Sequence, residues 1–321
     1  VLQSEGVLPV NVKYFFEGQE EIGSPNLLEF VSANSDLLAC EMVISSDGGQ
    51  WAEDQPGLSV AFKGLCAMQI DVVGPDKDLH SGYYGGVAMN PIRVLSRVIA
   101  ALHDDTGRVT IPGFYEGVTD ISPQLRSQWE ALNFDHNQFL ADVDLSIPAG
   151  EQDRTPLEMT WSRPTCEVNG IWGGYTAEGF KTVLPSEAHA KISFRLVGDQ
   201  DPEAIRASFR QMVQTLLPAD CSVTFTAHGA DKACVIDTSD AHFERARVAL
   251  SDEWNVPAAY IGGGGSIPIA GHFQNILGTT PLLIGFGKDD DALHSPNEKY
   301  DVESFHKGTR SWVRILAALT Q

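Results

Sequence analysis

The sequence has little of what would place it in a disulfide-built, thiolate-zinc or membrane class. Its five cysteines, Cys40, Cys66, Cys166, Cys221 and Cys234, are odd in number, scattered and never spaced C-x-x-C. That spacing speaks against a disulfide framework and against a structural zinc site. No stretch has the length and apolarity of a membrane span, and the opening residues show no basic region followed by an apolar one. Basic side chains are scarce as well, 22 against 43 acidic ones, and the resulting net charge of -21 repels phosphate backbones and anionic lipid surfaces. Neither nucleic acid nor a membrane is an expected partner, and a reducing, cytoplasmic setting is the expected location.

What is present is a chain of 321 residues, 43% of them apolar, long enough for two domains and rich enough for a sizeable core in each. Its centre of interest is FFEGQEEIGSPNL, Phe15 to Leu27, with the adjacent acids Glu20 and Glu21. The apolar run Val10 to Phe16 reads as a buried strand that the following glycines and Pro25 end, which sets the two carboxylates at a strand terminus. One could serve as a cation ligand and the other move a proton; a solvated charge pair on a loop is the alternative reading.

A crossover helix is expected over Asn26 to Leu38 and a second strand over Met42 to Ile44, so that Asp47 and the glutamates share the carboxyl edge of a β-α-β unit. Asp47 before Gly48-Gly49 is also an ordinary turn residue. From about Lys63 the texture changes. Leu65 to Val73 reads as a strand, the glycine-rich DLHSGYYGG carries His80, and Asn90-Pro91 starts a helix. Gly107 to Asn169 reads as irregular with short helical pieces. Ala188 to Val197 is the clearest strand: Ala188, Ala190, Ile192, Phe194 and Leu196 take one face, and His189, Lys191, Ser193 and Arg195 the other. A helix from Asp201 to Leu217 and a strand at Cys221 to Thr226 complete a ferredoxin-like split β-α-β pattern. Arg195 on its open face is either a solvated charge or an anion receptor.

The reading is therefore an α/β fold, a mixed-sheet catalytic domain of phosphorylase/hydrolase-like type formed by 1–62 and 230–321, with an α+β lid inserted over 63–229. In the resumed first domain, GGGGSIPIAGHFQ places Ser266 at a glycine loop entering a helix. The apolar run Pro281 to Gly287 leads to His294, and the last helix, Val302 to Leu319, is expected to bury Phe305, Thr309, Trp312, Leu316 and Leu319. Glu21, Asp47 and His294 stand 26 and then 247 positions apart, a spacing for a site assembled by the fold, and carboxylate with imidazole suits a zinc or manganese hydrolase centre.

EGQEEIGSPN, SSDGGQ, DLHSGYYGG, GGYTAEGFKTVLPSEAHAKISFRLV, GGGGSIPI and HSPNEKYDV occur in this order in the chain. Together they resemble the co-catalytic metallopeptidases related to carnosine dipeptidase and cytosolic non-specific dipeptidase, a superfamily that also holds carboxypeptidases and amide deacylases. The resemblance implies two divalent ions, zinc or manganese, with Glu21 and His294 on one and Asp47 on the other. It implies Glu20 as the general base toward a metal-bound water, His80 as a lid histidine reaching across a homodimer to the scissile carbonyl, and Thr182, Arg195 and Ser266 as receivers of the substrate carboxylate. The implied reaction is hydrolysis of a dipeptide or short peptide with a free carboxyl end. An N-acyl amino acid deacylase or a non-catalytic dimerising homologue are the alternatives.

Two departures accompany the match. The family's His-x-Asp motif and a second, bridging Asp precede the Glu-Glu pair, and neither is found here; the one H-x-D, His103 to Asp105, lies downstream and is taken as a decoy. The chain is thus expected to lack an upstream segment and, by itself, to bind metal weakly and hydrolyse poorly. Gly262 and Gly263 also stand where relatives often carry larger or charged residues.

Overall fold

The computed structural model describes residues 6–8, 10–22, 24–265, 268–293 and 295–320. Among them the strands are β1 (Val43–Ser45), β2 (Gly57–Phe62), β3 (Gly64–Val73), β4 (Leu79–His80), β5 (Thr165–Gly173), β6 (Val183–Leu184), β7 (Glu187–Leu196), β8 (Ser222–Asp231), β9 (Cys234–Val235), β10 (Ala259–Gly263) and β11 (Pro281–Leu283). They form two principal sheets. One runs β1-β11-β2-β10 with β9 beside β2; the other runs β5-β7-β3-β8; β4 and β6 make a separate ribbon.

The second sheet follows from strict alternation. Cys66, Met68, Ile70 and Val72 of β3, and Ala188, Ala190, Ile192, Phe194 and Leu196 of β7, are nearly or fully buried on one face. Two helices cover that face. Pro91–Ala100, capped by the Asn90 side chain, brings Val94, Leu95 and Val98, and Pro202–Leu216, capped by Asp201, brings Ile205, Phe209 and Val213. All neighbours in this sheet are antiparallel. In chain order the unit reads β3, helix, β5, β7, helix, β8, the split β-α-β arrangement expected. Its one unforeseen member is β5, inside the stretch read as irregular. A register shift between Val168 and Gly170 interrupts its alternation, and as an edge strand it leaves Val168, Ile171 and Trp172 exposed.

The first sheet is mixed. β1 pairs β11 in parallel, β10 pairs β2 in parallel, and β11 meets β2 antiparallel. Leu58, Val60, Leu282, Leu283 and Ile284 pack there on Phe243, Ala246 and Leu250 of the helix Ala241–Trp254. The final helix, Val302–Ala318, packs Trp312 of the expected stripe, with Leu319 just beyond its end, part-buried on the core, but its fully buried positions are others. Ser304, Gly308, Ser311 and Ile315 face inward, and Phe305 is 58% exposed. Small residues win this face because the helix lies against aromatic rings. A Cβ at Gly308 would stand 2.6 Å from the Phe286 ring, and Trp254 Nε1 donates to Ser311 Oγ at 3.0 Å.

A second expectation also fails. Val10 to Phe16 joins no strand, and Tyr14 and Phe16 are exposed. The segment is tied instead through Lys13 Nζ, which donates to the carbonyls of Leu37 and Ala39, and through Phe15, whose ring meets Phe273 edge-on. The crossover over 26–38 is broken into two helices, Leu27–Ala33 and Ser35–Leu38.

The helices Pro123–Glu130 and Pro156–Trp161, the latter opened by a Thr155/Glu158 capping box, carry Trp129, Leu157 and Trp161 onto Ala259 and Ile261 of β10. They brace the segment between the two sheets. The chain passes from the first sheet to the second at Lys63-Gly64 and returns at 231–233, so close that a Cβ at Gly64 would stand 2.4 Å from Asp231 O. Lys63 is 4% exposed and its Nζ donates to Met159 O at 2.7 Å. Burial, reinforced by repulsion from Arg195 and Arg163, pushes its ammonium down from 10.5 to about 8, with Glu167 opposing weakly.

Two predictions come from these close approaches. Gly285 packs on the Asp47 loop so tightly that a Cβ would lie 1.9 Å from Gly48 O, while Gly271, on the helix Pro268–Leu277, meets open space. In denaturant melts Gly285→Ala is expected to lose more than about 3 kcal/mol and Gly271→Ala to gain about 1 kcal/mol. Lys63 supplies the other. Between about pH 8 and 10.5 the unfolded chain keeps a proton that folded Lys63 has lost, so its contribution to stability rises with pH. A Lys63→Met variant lacks this rise. Its stability relative to the parent is expected to fall by about 3 kcal/mol across that window in parallel urea titrations.

Candidate active site

Glu20 and Glu21 open a single 3-10 turn, Glu20–Ile22. Gln19 holds that turn, accepting the backbone N–H groups of Ile22 at 3.2 Å and Ser24 at 2.9 Å and the Asn26 side-chain amide at 2.9 Å. Glu20 is exposed; the Glu21 side chain lies outside the described residues. The helix that follows packs Leu27 and Val31 on Phe273.

Asp47 follows β1 and the segment from Gly285 follows β11, and because these strands are parallel both leave at one sheet edge. Backbone bonds stitch the two loops together: Gln50 N–H donates to Gly287 O at 2.9 Å and Gly287 N–H to Gly48 O at 3.3 Å. The Asp47 side chain is exposed, while its backbone N–H donates to Ser45 Oγ at 3.4 Å. Next to Gly287, Asp291 is buried at 1% exposure. Its carboxylate accepts from Lys288 N–H at 2.7 Å and Lys299 Nζ at 3.0 Å, and its carbonyl accepts from Lys299 N–H at 3.0 Å. These bonds pin both ends of the segment that carries His294. His294 itself lies outside the described residues, as does Ser266.

His80 and Thr182 come together. β4 pairs β6 with His80 opposite Val183, and Ser81 N–H donates to Thr182 O at 2.9 Å. Both side chains are exposed. His80 Nδ1 accepts the Gly82 N–H at 3.0 Å, which in the neutral ring leaves the proton on Nε2, the nitrogen free to donate outward. The ring is steadied by Tyr83 at 4.9 Å.

Arg195 lies half-buried on the open face of the second sheet, opposite Leu65 of β3 and Thr165 of β5. Lys63 stands beside it, close enough to feel its charge, and donates its backbone N–H to Gly265 O at 3.0 Å. Arg195 is thus linked through Lys63 to the residue before Ser266. Lys63 and Asp291 were not singled out from sequence. The signal for Lys63 is a lone charge between the apolar strands GLSVAF and GLCAMQIDVV; Asp291 is one of three consecutive aspartates and carries no mark of its burial. The two departing glycines have a steric reason. A Cβ at Gly262 would stand 2.6 Å from Trp161 Cβ, and one at Gly263 2.9 Å from the Phe62 ring.

The donors expected for a metal are carboxylate and imidazole, a set that fits zinc or manganese. Asp47, exposed on a braced loop, suits such a role. Among the described residues no group of three or more His, Cys, Asp and Glu is placed to hold an ion, and two of the expected ligands lie outside them. All five cysteines are free, and burial raises the thiols of Cys66, Cys166 and Cys234, the last to about 11, which leaves them protonated at neutral pH. Among the described residues no helix is long and apolar enough to cross a membrane.

Comparison with known proteins agrees with this architecture. Residues 60–221 match the family model described as the M20 peptidase dimerisation domain. The Cys-Gly metallodipeptidase DUG1 of Saccharomyces cerevisiae is 30% identical over 321 residues, covering 96% of this chain and 65% of that protein. The Beta-Ala-His dipeptidase of Homo sapiens is 26% identical over 323 residues, covering 98% of this chain and 63% of that protein. The chain spans about two thirds of the length of the curated relatives it matches. Among solved structures, the dipeptidase Dug1p from Saccharomyces cerevisiae superposes with a TM-score of 0.81 at 28% identity, covering 99% of this chain and 68% of that one. The M20 metallo-carboxypeptidase Sso-CP2 from Sulfolobus solfataricus gives 0.87 at 27% identity, covering 99% and 72%. With the split β-α-β unit, the mixed sheet and these matches in hand, the chain belongs to the M20 metallopeptidase family.

Proposed function

We propose that the protein hydrolyses the amide bond of dipeptides or short peptides that end in a free carboxylate. The observation that carries this reading is Arg195: a half-buried guanidinium on the open face of the second sheet, with Lys63 behind it and the Gly265 loop bonded to Lys63. Guanidinium takes carboxylate in two parallel hydrogen bonds, which fixes one end of the substrate. Thr182 and Ser266 add hydroxyl donors to that end. The dipeptidase names of the relatives support the same class.

Glu21 and His294 would hold one divalent ion and Asp47 another, zinc or manganese; when bound, such ions acidify water and neutralise charge developing on the carbonyl oxygen. Glu20 accepts the proton of the attacking water and returns it to the leaving nitrogen. His80, its proton on Nε2, donates to the carbonyl oxygen as negative charge builds there. In this reading His80 acts on a second copy of the chain, and the inserted segment 63–229 is the dimerisation unit, in line with the description of the matching family model.

The test is a panel of dipeptides, dipeptide amides and N-acetyl amino acids assayed with zinc and with manganese. Glu20→Gln is expected to lower kcat by about 10²–10⁴-fold with metal content by elemental analysis unchanged. His80→Ala is expected to cost about 10²–10³-fold without a shift in melting temperature. A protein that turns over no member of the panel with either metal even when joined to an upstream segment carrying the His-x-Asp and bridging Asp of the family pattern, or a Glu20→Gln variant of full activity, contradicts the proposal. Faster turnover of N-acetyl amino acids than of dipeptides would move the assignment to a deacylase.

A further inference from the structure

Lys63 has no part in the chemistry just described, yet it is the most conspicuous buried cation near the proposed substrate end. Only 4% of it is exposed, and Nζ makes one hydrogen bond, to Met159 O at 2.7 Å. Among the described residues no carboxylate lies within ion-pair distance of it. The charges that face it are chiefly cations. Arg195 comes from β7, and Arg163 from the turn after the helix Pro156–Trp161, while Glu167 of β5 acts on it only from a distance. Arg163 is spoken for, held by Glu151 through Nε at 2.6 Å and by Asp120 at 3.2 Å. Among the described residues Lys63 has no counter-charge in contact with it, Glu167 acting only beyond ion-pair distance. A buried ammonium without a partner destabilises the fold unless something else rewards it.

We propose that Lys63 is a specificity-determining residue, a second cation behind Arg195 that makes the site demand a negatively charged carboxyl end on its substrate. Arg195 makes the hydrogen bonds; Lys63, shielded from water, supplies field. Lys63 directly precedes β3, whose Gly64 and Leu65 pair with Leu196 and Arg195, and its backbone bond to Gly265 O fixes it beside the residue before Ser266. Burial strengthens the effect, because a charge out of water is poorly screened. The depressed ammonium supports the picture. A group held near 8 by burial and two guanidinium neighbours takes its proton back when an anion arrives.

The inference rests on the proposed reading of the site, and the experiment separates the two. Parent, Lys63→Met and Lys63→Arg are assayed on a dipeptide and on its C-terminal amide. Lys63→Met is expected to lose about tenfold of the preference for the free acid, through KM for the acid with kcat unchanged, while Lys63→Arg keeps the preference. The melting temperature of ligand-free Lys63→Met is expected to be equal to or above the parent's at pH 7, since an uncompensated buried charge has been removed. An unaltered acid-to-amide preference in a folded Lys63→Met overturns the proposal, as does loss of that preference in Lys63→Arg. A second arm needs no turnover: titration calorimetry of propionate against propionamide, neither of which titrates near pH 8, in two buffers of different ionisation enthalpy at that pH. The parent is expected to take up a fraction of a proton with propionate alone, and Lys63→Met none. Equal uptake by parent and Lys63→Met refutes the role of Lys63. A parent that hydrolyses neither substrate but shows the difference in uptake refutes the peptidase reading and leaves Lys63 standing as an anion receptor.

Discussion

The structure depends on a backbone contact that only glycine permits. Gly285 lies against Gly48 so closely that any side chain would occupy the space of the Gly48 carbonyl. This approach lets the loop after β1 and the loop after β11 lock together, by the Gly49–Gly287 bridge and the bonds around it. Parallel pairing alone would bring the two strands to one edge; the glycines hold their loops there in register. Asp47 inherits a fixed backbone from this arrangement, and so does the start of the segment that Asp291 closes. A ligand loop of this kind works by preorganisation, since donors that need not be ordered on binding lose less entropy.

The same economy of side chains recurs where the last helix meets the sheet. Ser304, Gly308 and Ser311 are poor hydrophobes, yet they make the buried stripe because Phe286 and Trp254 supply the apolar bulk from around it. Here close approach outweighs the burial of the helix's own large residues, and Phe305 is left in solvent. Trp161 does the equivalent over Gly262. The glycine-rich entry to the Ser266 loop is thus a surface shaped from outside, by rings that neighbouring elements bring.

These exchanges explain which parts of the molecule can be read from the chain alone. β3, β7 and the helix after Asp201 alternate or repeat so regularly that their buried faces follow from period and cap, and with them the position of Arg195 on the open face. β5 escapes because its bulge breaks the period and its edge position leaves it polar and apolar on both sides. The last helix misleads because steric fit, rather than apolarity, decides which of its positions are fully buried. Val10 to Phe16 has a strand's composition without a partner, and composition does not reveal pairing. At the site, residue types and order mark Glu20, Glu21, Asp47, His80 and Arg195. The tautomer of His80 and the burial of Lys63 and Asp291 are properties of the packed chain, set by the Gly82 amide, the Met159 carbonyl and the Lys288 and Lys299 donors, contacts that no residue pattern announces.

The overall charge gives Lys63 its sharpest context. A chain with a net charge of -21 repels an anionic substrate at long range, and salt screens that repulsion beyond about 8 Å. What the substrate meets at contact is therefore set by local charge, and only 22 basic residues are available to set it. Many of them are committed to carboxylates: Arg310 and Arg314 to Glu253, Arg247 to Glu244, Arg163 to Glu151 and Asp120, Lys299 to Asp290 and Asp291. Lys63 is spent differently. It is buried at the crossing between two sheets, next to another cation, in a position where a neutral side chain of similar length would cost the fold less. An acidic protein that keeps a charge in such a place retains a local positive field against its own background, and a carboxylate is the simplest group in a peptide that such a field can select.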